Sequence, residues 1–170
     1  MNSLIQYKWL KRLWMPFCLL VCLVTFILQA EAQEKPPRPI TVSVSTAQHL
    51  SFGSFIQAGN SGTVTVDYTG SRSSSGSIIL GNMSSIVTSA LFIVDAEPGT
   101  LITILSGPAT LSGNGFIINL NLGEASTGNP FITRKQETDV FIGGTLTIGS
   151  LTANPAGSYS GEFQVTFIQQ

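Results

Sequence analysis

The sequence predicts an all-β protein, an antiparallel sandwich of eight to nine short strands. Three observations predict it. Apolar residues recur at every second position from Ile40 onward. No later segment holds a 3.6-residue period over the length of a helix. Clusters of Gly, Asn, Ser and Pro break the alternating runs at close spacing.

Each element has its own justification. Ile40, Val42 and Val44 point one way, with Thr41, Ser43 and Ser45 opposite, as in a half-buried strand. Leu50-Ser51-Phe52-Gly53-Ser54-Phe55 alternates again. Gly59-Asn60-Ser61-Gly62 predicts a turn, and Val64, Val66 and Tyr68 the next buried face. Gly70 to Gly76 reads as a Ser/Gly-rich loop ahead of a short strand, Ser77 to Leu80. Asn82 to Ser89 is polar and fits neither pattern. Ala90 to Val94 and Leu101 to Leu105 predict a hairpin. Between them, Pro98-Gly99 suits the central positions of a type II turn.

Phe116, Ile118, Leu120 and Leu122 share one face of a further strand. Gly123 to Thr138 predicts a long irregular connection, broken by Asn129-Pro130. Val140 to Ile148 is a strand with a bulge or bend at Gly143-Gly144. Past the turn Asn154-Pro155-Ala156-Gly157, the last strand sets Tyr159, Gly161, Phe163, Val165 and Phe167 on one face.

The start of the chain obeys different rules. Lys8, Lys11 and Arg12 precede an uncharged apolar run from Leu13 to Leu28, and Ala30-Glu31-Ala32 offers a small-x-small site. These features predict a signal peptide over residues 1–32. The rival reading is a membrane anchor, since the run approaches the roughly 17 residues that span a bilayer. Pro36-Pro37-Arg38-Pro39 just beyond the site favours cleavage. A lipid anchor at Cys22 is disfavoured by bulky Val21. Residues 33–39 then form a proline-rich extended lead, and 40–170 a single sandwich domain.

Cleavage removes both cysteines (Cys18, Cys22) and both tryptophans (Trp9, Trp14). The remainder has five basic and eight acidic residues in 138, far below the roughly 25% charge of an average domain. So neutral a surface argues against nucleic acid and against anionic lipid. Membrane contact is expected only through the signal peptide during export. The expected location is the periplasm, the outer surface or the extracellular medium.

Reactive groups are sparse. His49 is the only histidine, so a Ser-His-Asp relay would have to centre on it, yet no nucleophile elbow accompanies it. A polar residue between strands is the simpler reading. One histidine without cysteine leaves zinc too few ligands. Asp95 and Glu97 flank the Pro98-Gly99 turn and offer oxygens to calcium, but a solvated hairpin tip accounts for them equally. A glycosidase carboxylate pair is compatible with the residue types, but such sites bring sugar-stacking aromatics. Here Tyr68 and Tyr159 fall on predicted core faces. Asn82-Met83-Ser84 matches a glycosylation sequon of little specificity. No enzyme, metal or cofactor is expected.

The motifs, taken in order, resemble a family of exported bacterial domains of unknown function related to spore coat protein U and pilin-like proteins. The likeness rests on Leu50-x-Phe52-Gly53, Gly70-x-Arg72, Pro98-Gly99, and Leu111 with Gly115. It rests further on Gly143-Gly144-Thr145-Leu146-x-Ile148 and Gly157-x-Tyr159-x-Gly161-x-Phe163-x-Val165-Thr166, and spans residues 47–168. The resemblance implies an immunoglobulin-like (pilin-like) sandwich at the cell surface, a subunit of a fibre or coat. Related pilins carry a disulfide that the cleaved chain lacks.

The leading expectation is therefore a structural or adhesive surface protein whose partners are like subunits or other surface proteins. In its sharpest form Ile40, Val42 and Val44 are donated to another copy by strand exchange. The alternative is that they form the first strand of their own domain. A glycan-binding module using loops 70–76 and 123–138 is the second expectation; it lacks an exposed aromatic platform.

Overall fold

The computed structural model describes residues 40–44, 48–81 and 85–170. The signal peptide, the proline-rich lead and the sequon at Asn82 lie outside the described residues, as do the side chains of Val42 and Val44. Among the described residues every regular element is a strand and every pairing is antiparallel. The all-β sandwich is as predicted, but the strands among the described residues number twelve instead of eight or nine.

They are β1 (Thr41–Val44), β2 (Ser51–Phe52), β3 (Phe55–Val66), β4 (Arg72–Leu80), β5 (Val87–Thr88) and β6 (Ala90–Asp95). The second half holds β7 (Leu101–Ser106), β8 (Ala109–Gly113), β9 (Phe116–Ala125), β10 (Phe131–Ile132), β11 (Glu137–Ile148) and β12 (Val165–Gln169). The larger sheet runs β1-β6-β11-β3-β4, with β9 also on β11 and β8 on β9. A second sheet runs β10-β7-β12, and β2 pairs β5.

β11 organises the larger sheet. Its first half, Glu137 to Ile142, pairs β6, and its second half, Gly144 to Ile148, pairs β3. Ile142 is flanked by Ala90 and Ala125, and Gly144 by Val66 and Leu122, so β6 and β3 share one edge of β11 while β9 takes the other. The change of partner falls at Gly143. There β9 has two residues, Gly123 and Glu124, against the single Gly143, so the predicted bulge is present but its extra residue sits on the neighbouring strand.

Alternation explains the core. Along β6 the residues Ala90, Phe92 and Val94 are buried, while Leu91, Ile93 and Asp95 between them are half-buried. They meet Ile102 and Ile104 from β7, Phe131 from β10, and Val140 and Ile142 from β11, with Val165 and Phe167 packed alongside. A second cluster joins Val64, Val66, Ile118, Leu120, Leu146 and Ile148 under Phe52. Val64, Val94, Ile102 and Val140 are wholly inaccessible to solvent, each such burial contributing roughly 2 kcal/mol. Phe163 touches both clusters and stands edge-on to Phe92 at 6.3 Å between ring centroids.

Several expectations fail for local reasons. Ala90 to Val94 and Leu101 to Leu105 do not form a hairpin: β6 and β7 lie in different sheets, facing each other across the core. The Pro98-Gly99 turn between them is real, with Gly99 at φ +92° and Thr100 N–H donating to Glu97 O at 3.2 Å. The turn passes the chain from one sheet to the other. Gly59 to Gly62 is a bulge inside the continuous β3, where four residues (Ala58 to Ser61) oppose one on β4 (Ser77). The Ser/Gly-rich stretch from Arg72 to Gly76 is strand, pairing Val66 through Gly62.

The predicted connection from Gly123 to Thr138 is shorter than expected, because β9 runs on to Ala125, β10 intervenes and β11 starts at Glu137. Asn129 lends this connection order: its side chain accepts from Ile104 N at 2.8 Å and donates to Ile104 O at 2.7 Å. A side-chain amide thus takes the place of a strand neighbour beside β7.

Candidate functional site

Sheet edges are the first place to look for a site in an all-β chain without evident chemistry. Among the described residues β1 lies at the end of the larger sheet and pairs only β6, with Val42 opposite Val94 and Val44 opposite Phe92. Ile40, half-buried, packs against the first core cluster of the same chain. β1 therefore occupies its own domain in this structure. β12 is the corresponding end of the smaller sheet, paired among the described residues only with β7.

The two edges share a composition. β1 reads Thr-Val-Ser-Val and β12 reads Val-Thr-Phe-Ile-Gln, neither with a charge or a proline. Other ends are blunted. β4 begins at Arg72 and lies against the bulge of β3; β10 has two residues, preceded by Pro130 and followed by Arg134 and Lys135. β8 is covered by a bridge from Ser160, whose N–H and carbonyl bond Ser112 at 3.0 and 2.8 Å. The outer face beside β12 is apolar: Leu101, Leu105, Ile132 and Ile168 are 36%, 52%, 60% and 39% exposed on three neighbouring strands.

Among the described residues, two surface clefts are of a size to hold a small molecule. The larger, about 540 Å³, lies between β7 and β9, with Ile104, Leu122, Ala125 and Ile142 below and Ser106, Glu124 and Asn129 at its rim. The smaller, about 450 Å³, lies beside the β3–β4 turn and is lined by Tyr68 and Phe141 with Gln48, Thr69 and Thr88. Tyr68 was expected in the core; it is 44% exposed. The period of two stops at Val66, because Asp67 turns the chain. Its Oδ1 accepts from Thr69 N at 2.8 Å, Thr69 Oγ1 at 2.6 Å and Ser71 N at 2.9 Å. The Thr69 hydroxyl, ahead of the backbone N–H groups, holds the Asp67 carboxyl below the ordinary carboxylate range.

The match to known families runs over residues 42–168, against the description "Domain of unknown function (DUF4402)". The chain belongs to the DUF4402 family. The matched span of this DUF4402 domain opens within β1 and closes within β12, so it takes in both open edges. No curated protein matches the domain. No solved structure matches it either.

The motif residues of the DUF4402 domain have structural work. Phe52 is buried, and Arg72 Nη1 donates to its carbonyl at 2.9 Å and to Ser54 O at 3.0 Å, while Nη2 donates to Gly81 O at 2.7 Å. Gly53, at φ +65°, lets the guanidinium pass: an added Cβ would lie 2.7 Å from Arg72 Nη1. Gly143 and Gly144 are buried at the partner exchange of β11, and Leu146 is a core residue of the second cluster.

The closing motif divides. Tyr159, Gly161 and Phe163 lie outside any strand, between β11 and β12, and only Val165 opens β12, which corrects the expected continuous strand. Ser160 bridges β8 in one sheet while Val165 pairs Ser106 in the other, so this segment crosses between them. The expected one-sided burial holds for Tyr159, Phe163, Val165 and Phe167, which are half-buried, but not for Gly161, which is exposed like the residues of the other face. Tyr159 Oη donates to Pro155 O at 2.8 Å.

His49 is exposed, and its carbonyl accepts from the Thr88 hydroxyl. Among the described residues no three His, Cys, Asp or Glu side chains converge as metal ligands. Thr133 is a structural residue that sequence patterns miss. It is buried, its hydroxyl donates to Glu97 O at 2.6 Å and accepts from Thr100 N at 3.1 Å, and it thereby fixes the intersheet turn.

Proposed function

We propose that this DUF4402 domain is an exported structural or adhesive subunit of the cell surface, assembling with like subunits by exchange of β1. One observation carries the reading: β1 is a four-residue edge, uncharged and, among the described residues, held by β6 alone. When β1 of one copy leaves β6 and pairs β6 of the next, the same contacts form again. The net free energy then depends on the connection and the subunit concentration, the condition under which exchange is cheap. β12 offers a second uncharged edge at which copies add strands.

The low charge and the apolar leader agree with export, and the likeness to spore coat protein U and pilin-like proteins agrees with a fibre or coat. Strand exchange is tested through the register Thr41 to Asp95. Thr41→Cys with Asp95→Cys, in a chain whose Cys18 and Cys22 are replaced by alanine, is oxidised and run on a denaturing gel. Exchange gives a ladder of linked chains. Bonds formed only within single chains would overturn it. Deleting residues 33–45 and weighing the protein by light scattering is the complement: a folded monomer of unchanged state rules donation out.

A further inference from the structure

We infer that the cleft between Tyr68 and Phe141 binds the end of a neutral carbohydrate. This inference is independent of assembly through the sheet edges. Tyr68 is held at the tip of the β3–β4 turn with its side chain 44% exposed, and its hydroxyl has no partner among the described residues. An aromatic ring in such a position presents an apolar face and a polar tip together. The ring faces of sugars, which carry aliphatic C–H groups edged by hydroxyls, match that surface.

The ring is presented on rigid backbone. Asp67 N–H donates to Ser71 O and Gly70 N–H to Asp67 O, both at 3.0 Å, in addition to the three bonds accepted by the Asp67 carboxylate. The Tyr68 carbonyl accepts from the buried Ser89 hydroxyl at 3.1 Å, and Ser89 O in turn accepts from Gln48 Nε2 at 3.3 Å. A backbone ordered before binding loses less entropy on binding. Phe141 stands on the outer side of β11, since its neighbours Val140 and Ile142 are buried.

The chemistry of the lining selects the ligand class. Gln48, Thr69 and Thr88 bring amide and hydroxyl groups, and no lining side chain carries a charge. Phosphorylated, sulfated or sialylated groups would find no counter-charge there. At about 450 Å³ the cleft falls within the roughly 300–1,000 Å³ of small-molecule sites, room for a sugar terminus and not for a folded partner.

The test is an array of neutral and acidic oligosaccharides, probed with the wild-type protein, Tyr68→Ala and Tyr68→Phe, each first shown to be folded by its thermal melt. The expected result is binding to neutral glycans, weakened at least tenfold in Tyr68→Ala and largely kept in Tyr68→Phe. Titration of a bound glycan should also move the amide resonances of Thr69 and Thr88. Absence of any neutral ligand, binding confined to acidic glycans, or binding untouched by Tyr68→Ala would each overturn the assignment.

Discussion

Gly143 lies so close to Val66 that a Cβ built on it would stand 2.1 Å from the Val66 carbonyl oxygen, with Asp67 C and Cα at 2.6 and 2.8 Å. All three obstacles are backbone atoms, which cannot turn aside as a side-chain end can. The contact falls where β11 leaves β6 for β3, so relief would require opening the sheet at its junction.

Gly143→Ala is therefore expected to destabilise the fold by about 3 kcal/mol, the upper range for overpacking a tight site. Gly123→Ala is the control, since its nearest atom is at 3.6 Å, an ordinary contact. That variant should stay within about 1 kcal/mol of wild type. Urea denaturation of both proteins compares them directly, and equal midpoints would refute the steric account.

Arg72 is the second point of vulnerability. One guanidinium serves the carbonyls of Phe52, Ser54 and Gly81, fastening β2 and the start of β3 to the end of β4. Arg72→Met keeps much of the apolar stem but removes the guanidinium from the Phe52 and Gly81 carbonyls, while Ser54 O keeps the Gly81 N–H at 2.9 Å. A loss of about 2 kcal/mol or more is expected, given what hydrogen bonds to charged groups contribute. Arg72→Lys should recover only part, because a single ammonium cannot reproduce the planar fork. Full recovery by lysine, measured by denaturation, would show that charge alone matters.

Asp67 gives the Tyr68 turn a pH dependence of defined sign. Its folded carboxyl titrates below the ordinary range because the Thr69 hydroxyl and then nearby N–H groups bond its charged form. The order this confers is present above the carboxyl's unfolded pKa. It is lost as pH falls through the lowered folded value. The amide shifts of Thr69 and Ser71 should hold steady down to that acidic window and then move together. In Asp67→Asn they should show no such step. A midpoint at or above the ordinary carboxylate range in the wild type would contradict the hydrogen-bond account.

What was legible in the sequence was the part governed by alternation. Ala90 to Val94, Ile118 with Leu120, and Val140 to Ile148 bury the residues that period two selects. Which sheet a strand joins was not legible: Pro98-Gly99 specifies a turn, and the same turn serves a hairpin or a passage between sheets. β4 was hidden because, after Arg72, its first half consists of Ser and Gly, whose pairing with Thr65, Val64, Thr63 and Gly62 is set by the partner strand. Tyr68 was misplaced by carrying the alternation one step past Val66. The signal was present in Asp67-Tyr68-Thr69-Gly70, where an aspartate two residues ahead of a threonine announces a side-chain-stabilised turn.

The position of β11 orders events along the chain as well as in space. Strands β3, β6 and β9 all acquire a shared neighbour only with residues 137–148. A polypeptide emerging from its point of synthesis or from a translocation pore has no means of uniting those three until residues 137–148 are out. Closure of the larger sheet is thus a late and far-reaching step, of the sort that makes folding slow. Before that step the apolar flanks of early strands stand bare, and the scarcity of charge leaves little to keep two such chains apart.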